Sequence, residues 1–231
     1  MFIARESKKK REARVREIMA RLDAHYGDHP MIFLEAENAW QLLFATILSA
    51  QCTDARVNMV TEKLFQKYKS LEDFVSCDLK ELEEDIHSTG FYHNKAKNIK
   101  ACAAALVEKH GGEVPKDIDS LTALPGVGRK TGNLILGNIF DIPSIVVDTH
   151  VKRISNRLGL ADSSDPTKTE FQLMEVLPKE FWIRWNTHII ALGRTLCTSQ
   201  KPKCESCYLN DLCPSVKGDP ETWRAPSERK R

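Results

Sequence analysis

The chain has 231 residues, 42% apolar and 29% charged, with a formal net charge of only +2. This composition supplies a full core for one or two domains and excludes a disordered or low-complexity chain. No apolar run approaches the length of a membrane span, and the charged start lacks the apolar stretch of a signal peptide, so an intracellular protein with no membrane partner is expected.

Taken in chain order, the elements predicted are helix after helix. Val15, Ile18, Met19, Leu22 and Tyr26 recur at helical spacing, and the stretch from Gly27 to Pro30 stops that helix. From Ala39 to Leu48 the residues are apolar almost all round, which predicts a helix buried on most faces. Ser49-Ala50-Gln51-Cys52 is a break, after which Thr53 or Asp54 caps a helix carrying Val57, Val60 and Leu64. Asp78 and Glu81 form a capping-box pattern ahead of Leu79, Leu82 and Ile86, and Gly90 ends that helix. Asn94 opens the next, with Ile99, Cys102, Ala103 and Leu106 facing inward and Gly111-Gly112 as terminator.

Pro115 to Ala123 predicts a short helix, and Lys130 to Phe140 a longer one that Asp141-Ile142-Pro143 breaks. Ser144 to Val147 has the composition of a short strand but nothing else in the chain offers it a partner. Asp148 caps a helix with Val151, Ile154 and Leu158, and Asp165-Pro166 starts another that ends before Pro178. Trp182, Trp185, Ile189 and Leu192 stripe the last helix, so both tryptophans are read as packing. The fold expected is all-α.

Charge is distributed unevenly. Residues 5–16 hold seven Lys or Arg, starting at Arg5, and residues 71–85 hold seven acids against Lys80. Lys152, Arg153 and Arg157 form a further basic group, and Arg194, Lys201 and Lys203 lie near the late cysteines. A basic face opposite an acidic one fits a polyanion partner, although the N-terminal run alone reads as a solvated helix face.

The chemistry concentrates between Leu124 and Val151. In Leu124-Pro125-Gly126-Val127-Gly128-Arg129-Lys130-Thr131, two glycines flanking Val127 allow a tight turn that points several N–H groups outward. A helix begins at once on Arg129 or Lys130, so those amides and the helix dipole make an anion site. Without a long glycine loop, such a site suits a nucleic-acid phosphate better than a nucleotide pyrophosphate. Lys130 at that helix start and Asp148, 18 residues on, supply a nucleophile and a carboxylate beside a phosphate clamp. Taken singly, a lysine at a helix start is usually solvated, and an aspartate before a helix is usually an N-cap contributing about 0.5–2 kcal/mol.

The second signal is Cys197, Cys204, Cys207 and Cys213, spaced C-x6-C-x2-C-x5-C in a polar loop. Thiolates so close in sequence can wrap one metal centre, and the spacing leaves zinc and an iron–sulfur cluster both open. Seven cysteines in a reducing compartment do not make a disulfide framework, and Cys52, Cys77 and Cys102 are read as packing residues on apolar helices. With four thiolates completing a site, His150 and His188 are read as hydrogen-bonded structural histidines.

These motifs together resemble the endonuclease III family of helix-hairpin-helix DNA glycosylases. Leu124-Pro125-Gly126-Val127-Gly128 with Lys130, Val147-Asp148-Thr149-His150 and the cysteine loop carry the likeness, as do the segments from Leu48 to Asp54 and from Gly90 to Ala96. It runs from about Ile18 to Cys213. The resemblance implies two helical domains with a DNA cleft between them: a six-helix barrel at 32–142 with the hairpin, and a discontinuous domain of 1–31 and 143–231 with a [4Fe-4S] cluster on the four cysteines. It implies a base-excision repair enzyme, cytoplasmic and nucleoid-associated, that removes oxidised pyrimidines and cleaves abasic strands by β-elimination. Its partner would be double-stranded DNA with damaged bases or abasic sites, bound by a monomer.

By the same resemblance Lys130 is the nucleophile and Asp148 its carboxylate partner. Gln51 fills the space of the extruded base, Phe91 wedges at the opposite strand, and Gly126, Val127, Gly128, Arg129, Lys201 and Lys203 contact the DNA. Two positions depart from the family pattern. Gly132 stands where alanine is usual, which costs the hairpin helix up to ~1 kcal/mol, and Phe91 stands where leucine is common. Two rivals follow from the same residues: a non-catalytic DNA-binding module, and another glycosylase of the superfamily acting on adenine or on mismatched thymine.

Overall fold

A computed structural model of the chain describes residues 6–29 and 33–217. Arg5, Pro30, the domain boundary at 31/32 and the basic C-terminal end lie outside the described residues. Those described form eleven α-helices with short 3-10 turns between them and no strand. The chain divides into two compact units, Ile32–Ile142 and Met1–Met31 with Pro143–Arg231.

The unit from Ile32 to Ile142 holds α2 (Ala39–Leu48), α3 (Asp54–Lys67), α4 (Leu71–Ser76), α5 (Leu79–Asp85), α6 (Tyr92–His110), α7 (Ile118–Thr122) and α8 (Arg129–Phe140). All of these starts but those of α6 and α8 are fixed by a side chain that takes an otherwise orphaned amide, as Asn38 does for α2, Thr53 for α3 and Asp117 for α7. Helix α2 is buried from Gln41 to Leu48, as its all-round apolar sequence requires, and packs on α3, α6 and α8. Trp40 and Phe44 of α2 nest with Phe74 of α4 at ring-centroid separations of 5.0–5.8 Å, in tilted and edge-on pairs. Helix α6 runs along α4 and α5 with Ile99, Cys102, Ala103 and Leu106 fully buried.

The other unit holds α1 (Lys8–Tyr26), α9 (Thr149–Arg157), α10 (Pro166–Val176) and α11 (Trp182–Thr195), followed by 3-10 turns at Cys204–Ser206, Asn210–Leu212 and Pro214–Lys217. Its core is the stripe Val15, Ile18, Met19 and Leu22 of α1 set with Ile154, Leu173, Trp185 and Ile189. Trp185 is fully buried and Trp182 nearly so, and the Trp182 indole N–H donates to Leu177 O at 2.8 Å. Both tryptophans pack, as their spacing predicts.

Five local expectations are corrected. Asp78 caps α5 by accepting from the Lys80 and Glu81 amides, but Glu81 does not reciprocate because its carboxylate pairs with Lys67 Nζ at 2.8 Å. The reciprocal capping box is at Ser70 and Asp73, which start α4, a helix the sequence pattern missed. Helix α6 opens at Tyr92 rather than Asn94, because Gly90 (φ 70°) and Phe91 (φ 50°) reverse the chain immediately before it. Residues 144–147 are buried, irregular backbone, with Asn186 Nδ2 donating to Val146 O at 3.1 Å in place of a partner strand. Of the early cysteines only Cys102 lies within a helix; Cys77 ends α4 with its thiol on Phe74 O, and Cys52 lies in the break after α2.

The acidic stretch is also less of an open face than composition implied. Asp85 accepts from Lys67 Nζ and Tyr68 Oη, Asp73 caps a helix, and Glu83 meets His93. Arg14, from the N-terminal basic run, is largely buried and bonds Glu6, Leu158 O and Leu212 O.

Candidate functional site

In the unit from Ile32 to Ile142, α7, the turn at 123–128 and α8 make a hairpin. Val127 N–H closes the turn on Leu124 O at 3.1 Å, and the Val127 side chain is buried in the core. Gly126 has φ 77°, the left-handed region that favours glycine. Gly128 differs: it is extended (φ −91°, ψ 172°) and serves as N-cap of α8 without a side chain to cap it. With a glycine as N-cap, α8 starts without a capping side chain, and the positive end of the helix dipole there favours an anion. Lys130 is exposed at the second position of that helix.

Gln51 and Phe91 lie in the same unit. Both are exposed, Phe91 by 63%, and both hold non-glycine backbone in the left-handed region, at φ 54° and φ 50°. For an unbranched or aromatic residue that conformation costs about 1 kcal/mol or more. Asp141 is the third such residue among those described, and there the left-handed turn caps α8. Gln51 and Phe91 instead stand at the tips of the break after α2 and the turn before α6.

One residue in this region was missed. Lys95 is only 4% exposed, and its Nζ donates to Leu48 O and to Thr89 O, each at 2.8 Å. The signal was available, since Lys95 falls on the apolar stripe of α6 one turn before Ile99 and so faces the interior.

The other unit carries Asp148, half-buried at the start of α9, where its Oδ1 accepts from Val151 N–H at 2.7 Å. The N-cap reading of Asp148 is therefore correct whatever else it does. His150 Nδ1 meets Arg153 Nη2 at 3.2 Å, and burial holds its pKa below the ordinary histidine value. His188 is fully buried with Nδ1 3.5 Å from Asp23 Oδ1, too long for a good hydrogen bond, so the hydrogen-bonded reading of this histidine is corrected.

The four late cysteines also lie in that unit and line one pocket, walled by Ile154, Leu158, Leu192, Leu196 and Leu209. Burial pushes the Cys204 and Cys207 thiols up and that of Cys213 to about 11, so free thiols here keep their protons until a cation displaces them. Among the described residues no three His, Cys, Asp or Glu converge closely enough to hold a single ion. Four cysteine thiols around an apolar pocket are a donor set that fits an iron–sulfur cluster. Arg157, buried and unforeseen as a contact of this loop, donates to Cys197 Sγ at 3.3 Å and to Thr198 O and Ser199 O. Arg21 ties the same loop to α1 through Tyr208 O and Asp211. Lys201 and Lys203 are exposed on it.

Residues 44–179 match the HhH-GPD superfamily of base excision DNA repair proteins, and residues 197–213 match the iron-sulfur binding domain of endonuclease III. The chain is 50% identical over 184 residues to endonuclease III of Synechocystis sp., covering 79% of this chain and 84% of that one. With endonuclease III of Bacillus subtilis the identity is 48% over 186 residues, covering 80% and 85% of the two chains. The chain belongs to the endonuclease III family. A solved endonuclease III in a trapped covalent intermediate with DNA superposes with a TM-score of 0.82 at 44% identity, over 89% of this chain and 97% of that one. This endonuclease III family member is thus a base-excision repair enzyme, a DNA glycosylase with AP lyase activity whose partner is DNA. It carries a 4Fe–4S cluster, which decides between the two metal centres the cysteine spacing left open. No described helix is long and apolar enough to cross a membrane.

Proposed function

We propose that Lys130 is the amine that attacks the sugar carbon of an extruded, damaged nucleotide, and that oxidised pyrimidines in duplex DNA are the bases released. The observation that carries this reading is Lys130 itself, exposed at the second position of a helix whose N-cap is a glycine with no side chain. A phosphate bound at that helix start puts the neighbouring sugar within reach of the amine. As the amine bonds to the sugar carbon, the bond to the base breaks, and the adduct becomes a Schiff base once the sugar ring opens. The Schiff base acidifies the adjacent carbon, and β-elimination then breaks the strand on the 3′ side.

Asp148 is proposed as the carboxylate that stabilises positive charge on the sugar or takes a proton, in addition to capping α9. Gln51 is proposed to fill the hole left by the extruded nucleotide, offering both donor and acceptor to the orphaned base, and Phe91 to wedge the opposite strand. Gly126, Val127, Gly128 and Arg129 are proposed to seat the backbone, with Lys201 and Lys203 as further phosphate contacts. The cluster, held by Cys197, Cys204, Cys207 and Cys213, would supply a rigid fold for its loop and no step of the glycosyl transfer. The enzyme is proposed to act as a monomer.

Borohydride trapping on a duplex with one abasic site tests the central assignment. Lys130→Gln is expected to abolish the trapped adduct and strand scission while abasic-site binding persists. An adduct that still forms with Lys130→Gln assigns the nucleophile to another amine.

A further inference from the structure

Lys95 is a buried cation that the chemistry above does not use. Its ammonium bonds two carbonyls from different elements: Leu48, the last residue of α2, and Thr89, the last residue of the 3-10 turn His87–Thr89. Leu48 precedes Gln51 by three residues and Thr89 precedes Phe91 by two. The two carbonyls are thus the roots of the two exposed, left-handed tips. Carbonyls at the end of a helix lack intrahelical partners, and Leu48 O finds its partner in Lys95. A buried lysine is costly unless its donors are used, and burial does hold the pKa of Lys95 below the ordinary lysine value. An apolar side chain on this stripe of α6 would fill the space without that cost, so the cation does something that packing alone does not.

We propose that Lys95 is a positioning residue for base extrusion: bonding Leu48 O and Thr89 O together, it sets the separation of the Gln51 and Phe91 tips so that both side chains enter the duplex as one preset pair. The proposal rests on the reading of Gln51 and Phe91 given above. Ordering two tips before DNA arrives spares the binding step that ordering, and the benefit is largest where a stacked, paired base must be moved. It is absent where no base has to be moved.

Single-turnover rates of the complete, cluster-bearing enzyme test this, with 2-aminopurine beside the lesion reporting extrusion by fluorescence. Lys95→Met keeps the length of the side chain and removes its donors, and Lys95→Arg restores donors. Lys95→Met is expected to slow the fluorescence rise and excision of a paired oxidised pyrimidine by roughly tenfold, the scale of losing hydrogen bonds from a charged donor. Cleavage of an abasic site in single-stranded DNA should stay within about twofold, and Lys95→Arg should recover most of the duplex rate. If Lys95→Met does not fold, Lys95→Gln replaces it, since it has donors but is one bond too short to span both carbonyls. Equal losses on both substrates, or an unchanged fluorescence rise, overturn the proposal. Gln51→Ala and Phe91→Ala in the otherwise unaltered chain separate the two levels. If neither shows a duplex-selective loss, the reading of the tips fails and Lys95 loses its role with it; if they show it and Lys95→Met does not, the clamp alone is wrong.

Discussion

Gly126 of the hairpin turn packs against Asn98 of α6 so closely that a Cβ on the glycine would lie 2.8 Å from the Asn98 Cβ. The obstruction is next to the backbone of α6, not at the end of a flexible side chain, and the glycine's φ of 77° adds conformational strain. Gly126→Ala is therefore expected to destabilise the protein by about 2 kcal/mol. Gly128 has an ordinary extended backbone and nothing within 4 Å of where its Cβ would be. Gly128→Ala should change stability by no more than about 0.5 kcal/mol yet weaken abasic-site binding, because a methyl group there meets the phosphate. Melting and binding isotherms on both variants check this; full affinity in Gly128→Ala would remove the phosphate from that amide group.

Asp148 separates its two roles by substitution. Asparagine retains an oxygen that can accept from the Val151 amide, whereas alanine removes it. Asp148→Ala should cost about 1 kcal/mol of stability and Asp148→Asn much less. Turnover on a paired lesion should collapse in both, because both lose the charge. Substantial excision by Asp148→Asn would reduce the residue to a cap.

The cysteine spacing and the helical caps were legible because each depends on neighbours in sequence. Turn, helix start and Lys130 form one local unit, and the amide donors follow from the backbone alone. Helix α4 was missed because six residues with Leu71 and Phe74 as their only buried members give no periodicity to read. Phe91 as the left-handed residue opening α6 was illegible for a different reason: an aromatic at positive φ runs against local preference and persists only because the surrounding fold holds it. Lys95 and Arg157 bond to carbonyls far away in the chain, 47 and 42 residues for Leu48 and Ser199. A stripe that includes a cation shows that the cation turns inward, but not what it finds there.

The buried His188 gives stability a direction with pH. Burial lowers its pKa, outweighing the Asp23 carboxylate, which raises it, and Arg184 lowers it further. The unfolded chain then binds the proton more readily than the folded one. The stability contributed is fully present above the unfolded value of about 6.5 and is lost as pH falls through the lower, folded value. The melting temperature of the holoenzyme should fall between pH 7.5 and 5.5, as about one unit either side of that unfolded value. His188→Gln should flatten the fall, and His150, whose pKa is lowered in the same sense, accounts for part of what remains. An identical pH slope in the variant would show that His188 does not titrate in this range.

Gly132 tests how the hairpin tolerates a glycine inside α8. The sequence suggested a cost of up to ~1 kcal/mol relative to alanine, but the missing Cβ is put to use. Its position lies 2.7 Å from Ile118 Cδ1, while the next neighbour, Leu121 Cβ, is at an ordinary 3.5 Å. Ile118 of α7 thus occupies the notch that glycine leaves in α8. Because the contact is with the free end of a side chain, Gly132→Ala can be accommodated by turning Ile118, at about 0.5–1.5 kcal/mol for the strained rotamer. That nearly cancels the gain in helix propensity, so the single variant should melt close to wild type. Ile118→Val deletes the one atom in the way. In that background Gly132→Ala should stabilise by nearly the full propensity difference, about 1 kcal/mol. Equal effects of Gly132→Ala in the two backgrounds would mean that Ile118 is not what the glycine accommodates.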